Sequence, residues 1–577
     1  MKKTFLLSCL MLAAMPVMAA YTGHVYVDKN KNGVFDQSEK PLAGIKVSDG
    51  LNVVETAADG SFTLPGHERE RFIFITTPSG YKTFNRHYHK IEKKQSGYDF
   101  GLIPYSGRIR KDGSHRYIHI TDTEIFNTEN HADWVNNVRD YARNEQAAFI
   151  IHTGDICYEK GLKAHIKLMN TENMDCPVFY CIGNHDLVKG KYGEELFESI
   201  YGPVYYSFDA GNVHYVVTPM SGGDHAPGYT SDDVCRWLKN DLAHIRPGTP
   251  VVVFNHDLLT YEDTFIFKSK NAGSINLNEY NLKAWVYGHW HINYMKKQGD
   301  VYSVCTSSLD KGGIDHSTTA FRVMHVDSKG DFTSELRYTY LDKNICIASP
   351  AGVMASGVLP VAVNVYSSVS PVREVLYTCL ADGKPVLKNK RLLQSTDWSW
   401  NGELPLSHKY VGKELTLRVT ARFNNGEIAE AESNFICRTE KTVPLFSADW
   451  DNLSGNAKHS APVSAPLNLP LQLAWTNNVG ANLYMTSPLI HKGKVIVASV
   501  DEDLKGAGHV YALNGKDGTI LWSCPVRNSI KNSIAVDSDI VFAQDAQGFL
   551  YAIDTETGKL CWEKQLPVNG LPALIAV

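Results

Sequence analysis

The sequence predicts a multidomain protein: an α/β core, built as a layered β-sandwich flanked by helices, lies between two all-β sandwich domains, and partial β-propeller blades follow. Three observations carry this. The chain has 577 residues, more than one hydrophobic core supports. Apolar and polar residues alternate at period two, between Gly, Pro and Asp clusters, on both sides of a stretch where short apolar runs alternate with helical patterns. Near the C-terminal end, Val510–Trp522 returns 40 residues later as Leu550–Trp562, the spacing of a propeller blade.

Composition sets the class. With 43% hydrophobic residues, 21% charged residues and 29 tyrosines, the chain reads as globular and strand-rich rather than disordered. Its net charge of -5 lacks the basic excess of a general nucleic-acid surface, and Arg108–Lys111 reads as a solvated loop. Residues 1–20 read as a cleaved signal peptide: Lys2-Lys3, an apolar run from Phe5 to Met15, then Pro16-Val17-Met18-Ala19-Ala20. Export to the periplasm, the cell surface or the medium is therefore expected. The apolar run is shorter than the ~20 residues that span a bilayer, and no later segment is long enough, so no transmembrane segment is expected. Cys9, after Leu6-Leu7-Ser8, leaves a lipoprotein site as the alternative. The other ten cysteines, Cys157 to Cys561, form no CxxC pair, which excludes a zinc ribbon or a disulfide scaffold. Cys379 and Cys437 are the pair that a disulfide could join across one β domain.

Residues 21–105 alternate through His24-Val25-Tyr26-Val27, Gly44-Ile45-Lys46-Val47 and Phe72-Ile73-Phe74-Ile75, a small β-sandwich. Within it, Asp28, Asn30, Asn32, Asp36 and Glu39 offer side-chain oxygens at positions 1, 3, 5, 9 and 12 of a loop, with Gly33 at 6 and the Val34 carbonyl at 7. That spacing suits one structural Ca²⁺; the other reading is a polar turn that binds nothing. Residues 106–342 carry helical patterns such as Ala132–Gln146 and Asp232–Ile245 between short strands, an α/β core. Residues 346–440 return to alternation, as in Val361-Ala362-Val363-Asn364-Val365 and Leu415-Thr416-Leu417-Arg418-Val419, a second sandwich. Residues 441–577 hold a linker and the blade repeats. Two blades do not close a ring of four to eight, so either the ring continues beyond this sequence or another chain completes it.

Five β-rich runs in the α/β core end in metal-capable residues. Ile118–Thr121 ends in Asp122-Thr123-Glu124, Phe149–Thr153 in Gly154-Asp155-Ile156-Cys157-Tyr158, and Val178–Ile182 in Gly183-Asn184-His185-Asp186. Val251–Phe254 ends in Asn255-His256-Asp257, and Ala284–Tyr287 in Gly288-His289-Trp290-His291. Ligands collect at the carboxyl ends of strands in α/β sheets, so five such ends converge on one site. Carboxylate, carboxamide and imidazole together suit Mn, Fe, Zn or Ni. His289 and His291, two apart in an extended segment, are expected to point the same way.

This order of motifs resembles the calcineurin-like metallophosphoesterase superfamily, and Tyr201–Phe208 fits it as well. The resemblance implies a dinuclear metal centre in which Asp155 bridges the ions, Asp122 and His291 complete one site, and Asn184, His256 and His289 complete the other. It also implies that His185 approaches the leaving group and that a metal-bridging hydroxide attacks phosphorus in line. One departure is Glu124, where the family usually has His. Glu124 is read as a ligand that favours Mn or Fe, or as a partner of bound water. Gly154–Tyr158 also resembles the GDxxY motif of purple acid phosphatases, whose Tyr ligates iron; packing is the plainer reading of Tyr158, and buried filler that of Cys157.

The leading expectation is an exported enzyme acting on a phosphomonoester or phosphodiester, with Ser221–Tyr229 as a candidate substrate loop. The propeller repeats resemble those of pyrroloquinoline-quinone-type proteins, and two blades alone imply no quinone. The alternative is a surface-binding scaffold whose phosphoesterase core has degenerated, with an envelope partner held by the β modules. Protein-phosphatase signalling fits poorly with export.

Overall fold

In the computed structural model, residues 20–567 are described apart from 94, 96, 440–448, 461–472, 484 and 485. The signal segment, save Ala20, and much of the linker between the second sandwich and the blades lie outside the described residues.

Runs without alternation, such as Phe149–His152 and Val251–Phe254, are buried along their whole length, as strands covered on both faces must be. They belong to two different sheets. The first has five strands in the order Val178–Tyr180, Phe149–His152, His115–Ile120, Ala320–Val326, Phe332–Tyr338, and the first three run parallel. The second has six, in the order Tyr206–Ala210, Val213–Val217, Val251–Phe254, Leu282–Tyr287, Val301–Cys305, Tyr294–Gln298, with four parallel strands at its centre. Aromatic rings fill the space between the sheets: Tyr117 stacks on Phe149 at 4.7 Å and Phe149 meets Tyr215 edge-on at 5.0 Å. Helices cover the outer faces. Ala132–Asn144 buries Trp134, Val138 and Tyr141 against the first sheet, and Ser231–Ala243 buries Trp237, Leu238 and Leu242 against the second. Thr230 starts the latter helix with a capping box: its hydroxyl accepts the Asp233 N–H while the Asp233 carboxylate accepts the Thr230 N–H.

The N-terminal domain packs two small sheets around Val25, Val47, Phe62, Ile73 and Phe100. From Asn344 to Arg438 a four-stranded and a five-stranded sheet enclose Val361, Val363, Val365, Leu415, Leu417 and Val419, so the alternating residues do face one core. All ten described cysteines are free thiols, which corrects the pairing of Cys379 with Cys437. Their strands, Val372–Ala381 and Ile428–Arg438, are separated by Glu414–Phe423. At about 4.8 Å per strand this places them roughly 10 Å apart, beyond the ~7 Å reach of a disulfide.

The repeats form two four-stranded antiparallel sheets, Leu489–Pro525 and Ala535–Gln565. Each hairpin turn is served by an indole from the segment before its sheet, Trp475 for the first and Trp522, which closes the first repeat, for the second. Trp475 Nε1 donates to Gly515 O and Trp522 Nε1 to Thr555 O, so each indole caps the next hairpin turn. A Cβ on Gly518 or Gly558 would lie 2.3 or 2.6 Å from that indole, which is why glycine recurs with the Trp.

Candidate metal centre

Each motif lies just past a parallel strand. Asp122 follows His115–Ile120, Asp155 follows Phe149–His152, and Asn184 and His185 follow Val178–Tyr180, all in the first sheet. His256 follows Val251–Phe254 and His289 follows Leu282–Tyr287, both in the second. The carboxyl ends of two facing sheets thus supply one site. Close approach of these ends requires glycine: a Cβ on Gly154 would lie 2.7 Å from His256 Nδ1, on Gly183 2.3 Å from Asp155 Oδ1, and on Gly288 2.6 Å from Asp122 Oδ2.

His256 organises the centre. Its Nδ1 donates to Thr153 O at 2.7 Å, which fixes the ring and turns Nε2 inward. Nε2 lies 3.1 Å from Asp155 Oδ2, 3.1 Å from Asn184 Oδ1 and 4.0 Å from Asp122 Oδ1. Ligand atoms of Asp155, His256 and His289 all fall within 4.8 Å of one another. On the other side, His291 Nε2 is 3.4 Å from both Asp122 Oδ1 and Glu124 Oε1. The structure therefore brings together Asp122, Glu124, Asp155, Asn184, His256, His289 and His291. His185 stands at the rim; its backbone N–H donates to Asp155 Oδ1 at 3.0 Å.

The backbone around these groups is unusual. Asp122, Glu124, Asp155, His289 and His291 have φ of 50°, 44°, 53°, 64° and 51°, in the left-handed region that costs a non-glycine residue about 1–3 kcal/mol. The expectation that His289 and His291 share an extended segment is corrected: both lie in a loop. They still reach the centre because Asp122 accepts the His289 N–H, at 3.0 Å to Oδ2, and Ile314 N–H donates to His291 O at 2.9 Å.

Burial leaves this cluster short of positive charge. It pushes the Asp122 carboxyl up to about 6, although His256 and His291 work against it. Burial acts in the same direction on Asp155, but His256 and the His185 N–H outweigh it and hold that carboxyl below the usual range. His256 shows the converse, raised to about 9 by Asp155 and Asp122 despite its burial. Both buried carboxylates thus favour a positive charge beside them. Carboxylate, carboxamide and imidazole donors around such a deficit fit a pair of borderline metal ions.

Three contributors escaped the sequence reading. Asp224 Oδ2 lies 2.8 Å from His185 Nδ1, and with the ordinary cost of burial exceeded by this bond, the imidazole is raised above its usual value. Asp224 sits in the Ser221–Tyr229 loop, which composition marked without singling out the acid. Asp186 accepts the N–H groups of Cys157 and Gly183 at 2.8 and 2.9 Å; its place beside His185 was the available signal. Lys311 Nζ is 2.7 Å from Glu124 Oε2, and nothing in the local sequence marks it. Tyr158 is 43% exposed, and Cys157 is buried with its thiol pushed up by that burial.

In the N-terminal domain, the loop around Asp28 closes on itself. Asp28 accepts the N–H groups of Asn32 and Gly33 at 3.1 and 2.9 Å, Asp36 Oδ2 receives Asn30 and Asn32 at 2.7 and 3.0 Å, and Glu39 accepts Lys29 N–H at 2.9 Å. Asp28 and Glu39 are buried and Val34 is exposed. Among the described residues no helix is long and apolar enough to cross a membrane.

Comparison with known proteins gives three family matches. Residues 29–104 match the N-terminal domain of calcineurin-like phosphoesterase, residues 115–293 match calcineurin-like phosphoesterase, and residues 472–573 match the family of outer membrane protein assembly factor BamB. No curated protein matches. Among solved structures, a quinohemoprotein alcohol dehydrogenase from Pseudomonas putida HK5 is 20% identical over 20% of this chain and 19% of its own, with a TM-score of 0.18. A predicted phosphoesterase from Streptococcus pneumoniae TIGR4 is 10% identical over 39% of this chain and 98% of its own, with a TM-score of 0.19. BamB from Moraxella catarrhalis is 12% identical over 42% of this chain and 55% of its own, with a TM-score of 0.12. Likeness at these TM-scores carries no argument. On the family matches, the chain carries a calcineurin-like phosphoesterase domain, preceded by the N-terminal domain of that family and followed by BamB-type repeats.

Proposed function

We propose that this chain is an exported metal-dependent hydrolase of a phosphomonoester or phosphodiester. The observation that supports it best is the meeting of Asp122, Asp155 and Asn184 from one sheet with His256 and His289 from the other, around the Nε2 of His256. In this reading two ions of Mn, Fe or Zn would be held by Asp122 and His291 on one side and by Asn184, His256 and His289 on the other, with Asp155 common to both. When bound, such a pair supplies Lewis-acid charge neutralisation and lowers the pKa of water. His185, steadied by Asp224, faces the open side and delivers a proton to the departing alkoxide, a role worth typically ~10²–10⁴-fold. Glu124 is held between His291 and Lys311, so it tunes the Asp122 side.

The test is metal content and turnover of the purified chain on a chromogenic monoester and diester, beside His185→Ala and Asp155→Asn. About two ions per chain and collapse of turnover in both variants support the reading. Metal binding without turnover above the variants would favour the surface scaffold with a degenerate core, holding an envelope partner through its β modules. Two finer points belong to the same reading. The 28–39 loop holds one structural Ca²⁺ through Asp28, Asn30, Asn32, the Val34 carbonyl, Asp36 and Glu39, so adding Ca²⁺ to chelator-treated protein should raise the Tm of wild type but not of Asp28→Ala. Export removes residues 1–20, so the mature protein recovered from the medium or envelope should begin at Tyr21.

A further inference from the structure

Tyr158 takes no part in the centre described above, yet the backbone goes to some length to place it. Cys157 and Tyr158 have φ of 77° and 54°, two consecutive non-glycine residues in the left-handed region, where function rather than packing usually explains the strain. The Asp186 carboxylate holds the first by accepting the Cys157 N–H at 2.8 Å. This turn directs Tyr158 out of the core at the start of helix Tyr158–Leu168, where it is 43% exposed. Its ring lies 5.3 Å from that of His185 and stacks on Phe126 at 6.2 Å with 17° between the planes.

Phe126 is 56% exposed and comes from the segment that carries Asp122 and Glu124. Its neighbour Ile125 is buried, which anchors that segment while Phe126 stays outside. Rings from three different motifs thus form one shelf running from His185 to solvent. Two aromatic rings left in water forgo the gain of burial, and here the pair sits beside His185 on a turn of two strained residues. The position of the shelf names what covers it. In the reading above His185 faces the leaving-group oxygen, so the alcohol portion of the ester extends over Tyr158 and Phe126. The exposed part of the shelf is apolar, and Asp224, bonded to His185, and Glu124, two residues before Phe126, flank it, which disfavours an anionic leaving group.

We propose that Phe126 and Tyr158 form a leaving-group subsite that selects phosphoesters of alcohols bearing an aromatic or heteroaromatic ring over small aliphatic ones. This rests on the phosphoesterase reading. The test uses the metal-loaded full chain and compares the competitive Ki of phenylphosphonate with that of methylphosphonate, and kcat/KM for phenyl phosphate with that for glycerol phosphate. Wild type should prefer phenylphosphonate by at least about tenfold, and Phe126→Ala or Tyr158→Ala should each cut that preference roughly fivefold to tenfold, the worth of one aromatic contact. Tyr158→Phe keeps the ring and should keep the preference. An unchanged Ki ratio in both Ala variants, with turnover present, overturns the subsite alone. Loss in Tyr158→Phe as large as in Tyr158→Ala also overturns it, since the hydroxyl would then be the working group. Absence of both turnover and phosphonate binding removes the phosphoesterase reading as well.

Discussion

Two loops complete the centre, and two different domains hold them in different ways. On one flank, Arg71 of the N-terminal sandwich pairs with Glu194 at 2.8 Å and Glu198 at 2.9 Å, while Glu194 accepts the Gly228 N–H and Arg69 donates to Gly228 O at 2.6 Å. This pins the loop that brings Asp224 to His185. On the other flank, the connection between the blades inserts Lys531, whose Nζ is 2.6 Å from Asp315 Oδ2, 2.7 Å from Glu502 Oε1 and 2.6 Å from Asn293 O. Asn528 adds a bond to Met295 O at 2.9 Å. Asn293 follows the metal-ligand candidate His291 by two residues, so the blades grip the ligand loop itself. The difference is water at the cation: the Arg71 side chain is 27% exposed and that of Lys531 only 3%, while the carboxylates are buried on both flanks. A forked guanidinium at the solvent edge tolerates disturbance, whereas a dry ammonium holding two carboxylates does not.

The largest effect should therefore come from Lys531→Met in the full chain. It leaves Asp315 and Glu502 buried without their cation, which costs about 3–5 kcal/mol when a buried pair is broken on one side. Loss of grip on Asn293 should also loosen His291, so metal content should fall along with stability. Thermal denaturation and metal analysis on the same preparation check both. A Tm and metal content equal to wild type would mean that the dry contact does no holding, and the contrast between the flanks would disappear.

The flanks should also separate by pH. Behind the N-terminal interface, His214 is buried between Asp209 at 2.7 Å and Asp241 at 2.8 Å, and Lys46 of the sandwich reaches Asp209 at 3.6 Å. Burial alone would lower the imidazole, but the two carboxylates raise it to about 9. A raised folded-state value means that its stabilisation is complete below the unfolded value near 6.5 and is lost as the pH rises through about 9. The amount is on the order of 3–4 kcal/mol. Lys531, despite its burial, is raised above its ordinary value by Glu502 and Asp315, so the blade contact stays charged over the same range. Hydrogen exchange between pH 6 and 9.5, corrected for intrinsic rate, should show protection falling around Val213–Val217 and holding at Asn293 and Met295. Equal loss at both would break the comparison, and His214→Gln should abolish the pH dependence on the N-terminal side.

Much of the centre was legible because each of its parts is local. A strand that ends in Gly-Asn-His-Asp or Gly-His-x-His announces its candidate ligands within a few residues, and Gly154, Gly183 and Gly288 mark where strand ends crowd. The blade repeat was legible for the same reason, since Gly518 and Trp522 return as Gly558 and Trp562 after a fixed interval. What pairs across long separations was not. Arg71 meets Glu194 across 123 positions and Lys531 meets Asn293 across 238, and no local pattern predicts either. Asp224 and Lys311 fall in the same class. The error over His289 and His291 has another origin: spacing by two suggested a strand, but Asp122 pulls the His289 N–H into a left-handed turn. Cysteine pairing was open for a related reason, since sequence gives the domain of Cys379 and Cys437 but not the strand that lies between them.

The smallest of the three effects should follow Arg71→Ala, and it tests whether the flanks act separately. Water already reaches Arg71, Glu194 keeps the Gly228 N–H when the guanidinium is removed, and Glu198, raised by burial to about 7, can take up a proton, so the cost should be about 1–3 kcal/mol. Its consequence should be catalytic rather than structural for the metals. The 221–229 loop would loosen, Asp224 would hold His185 less firmly, and kcat should fall while metal content stays at the wild-type value. Asp224→Ala should reproduce that pattern without the loss of stability, because its effect passes through His185 alone. If Arg71→Ala sheds metal as Lys531→Met does, the two loops form one unit and the division into an acid-holding flank and a metal-holding flank is wrong. If Arg71→Ala lowers stability but leaves kcat intact, the N-terminal domain braces the fold and Asp224 needs no support from it.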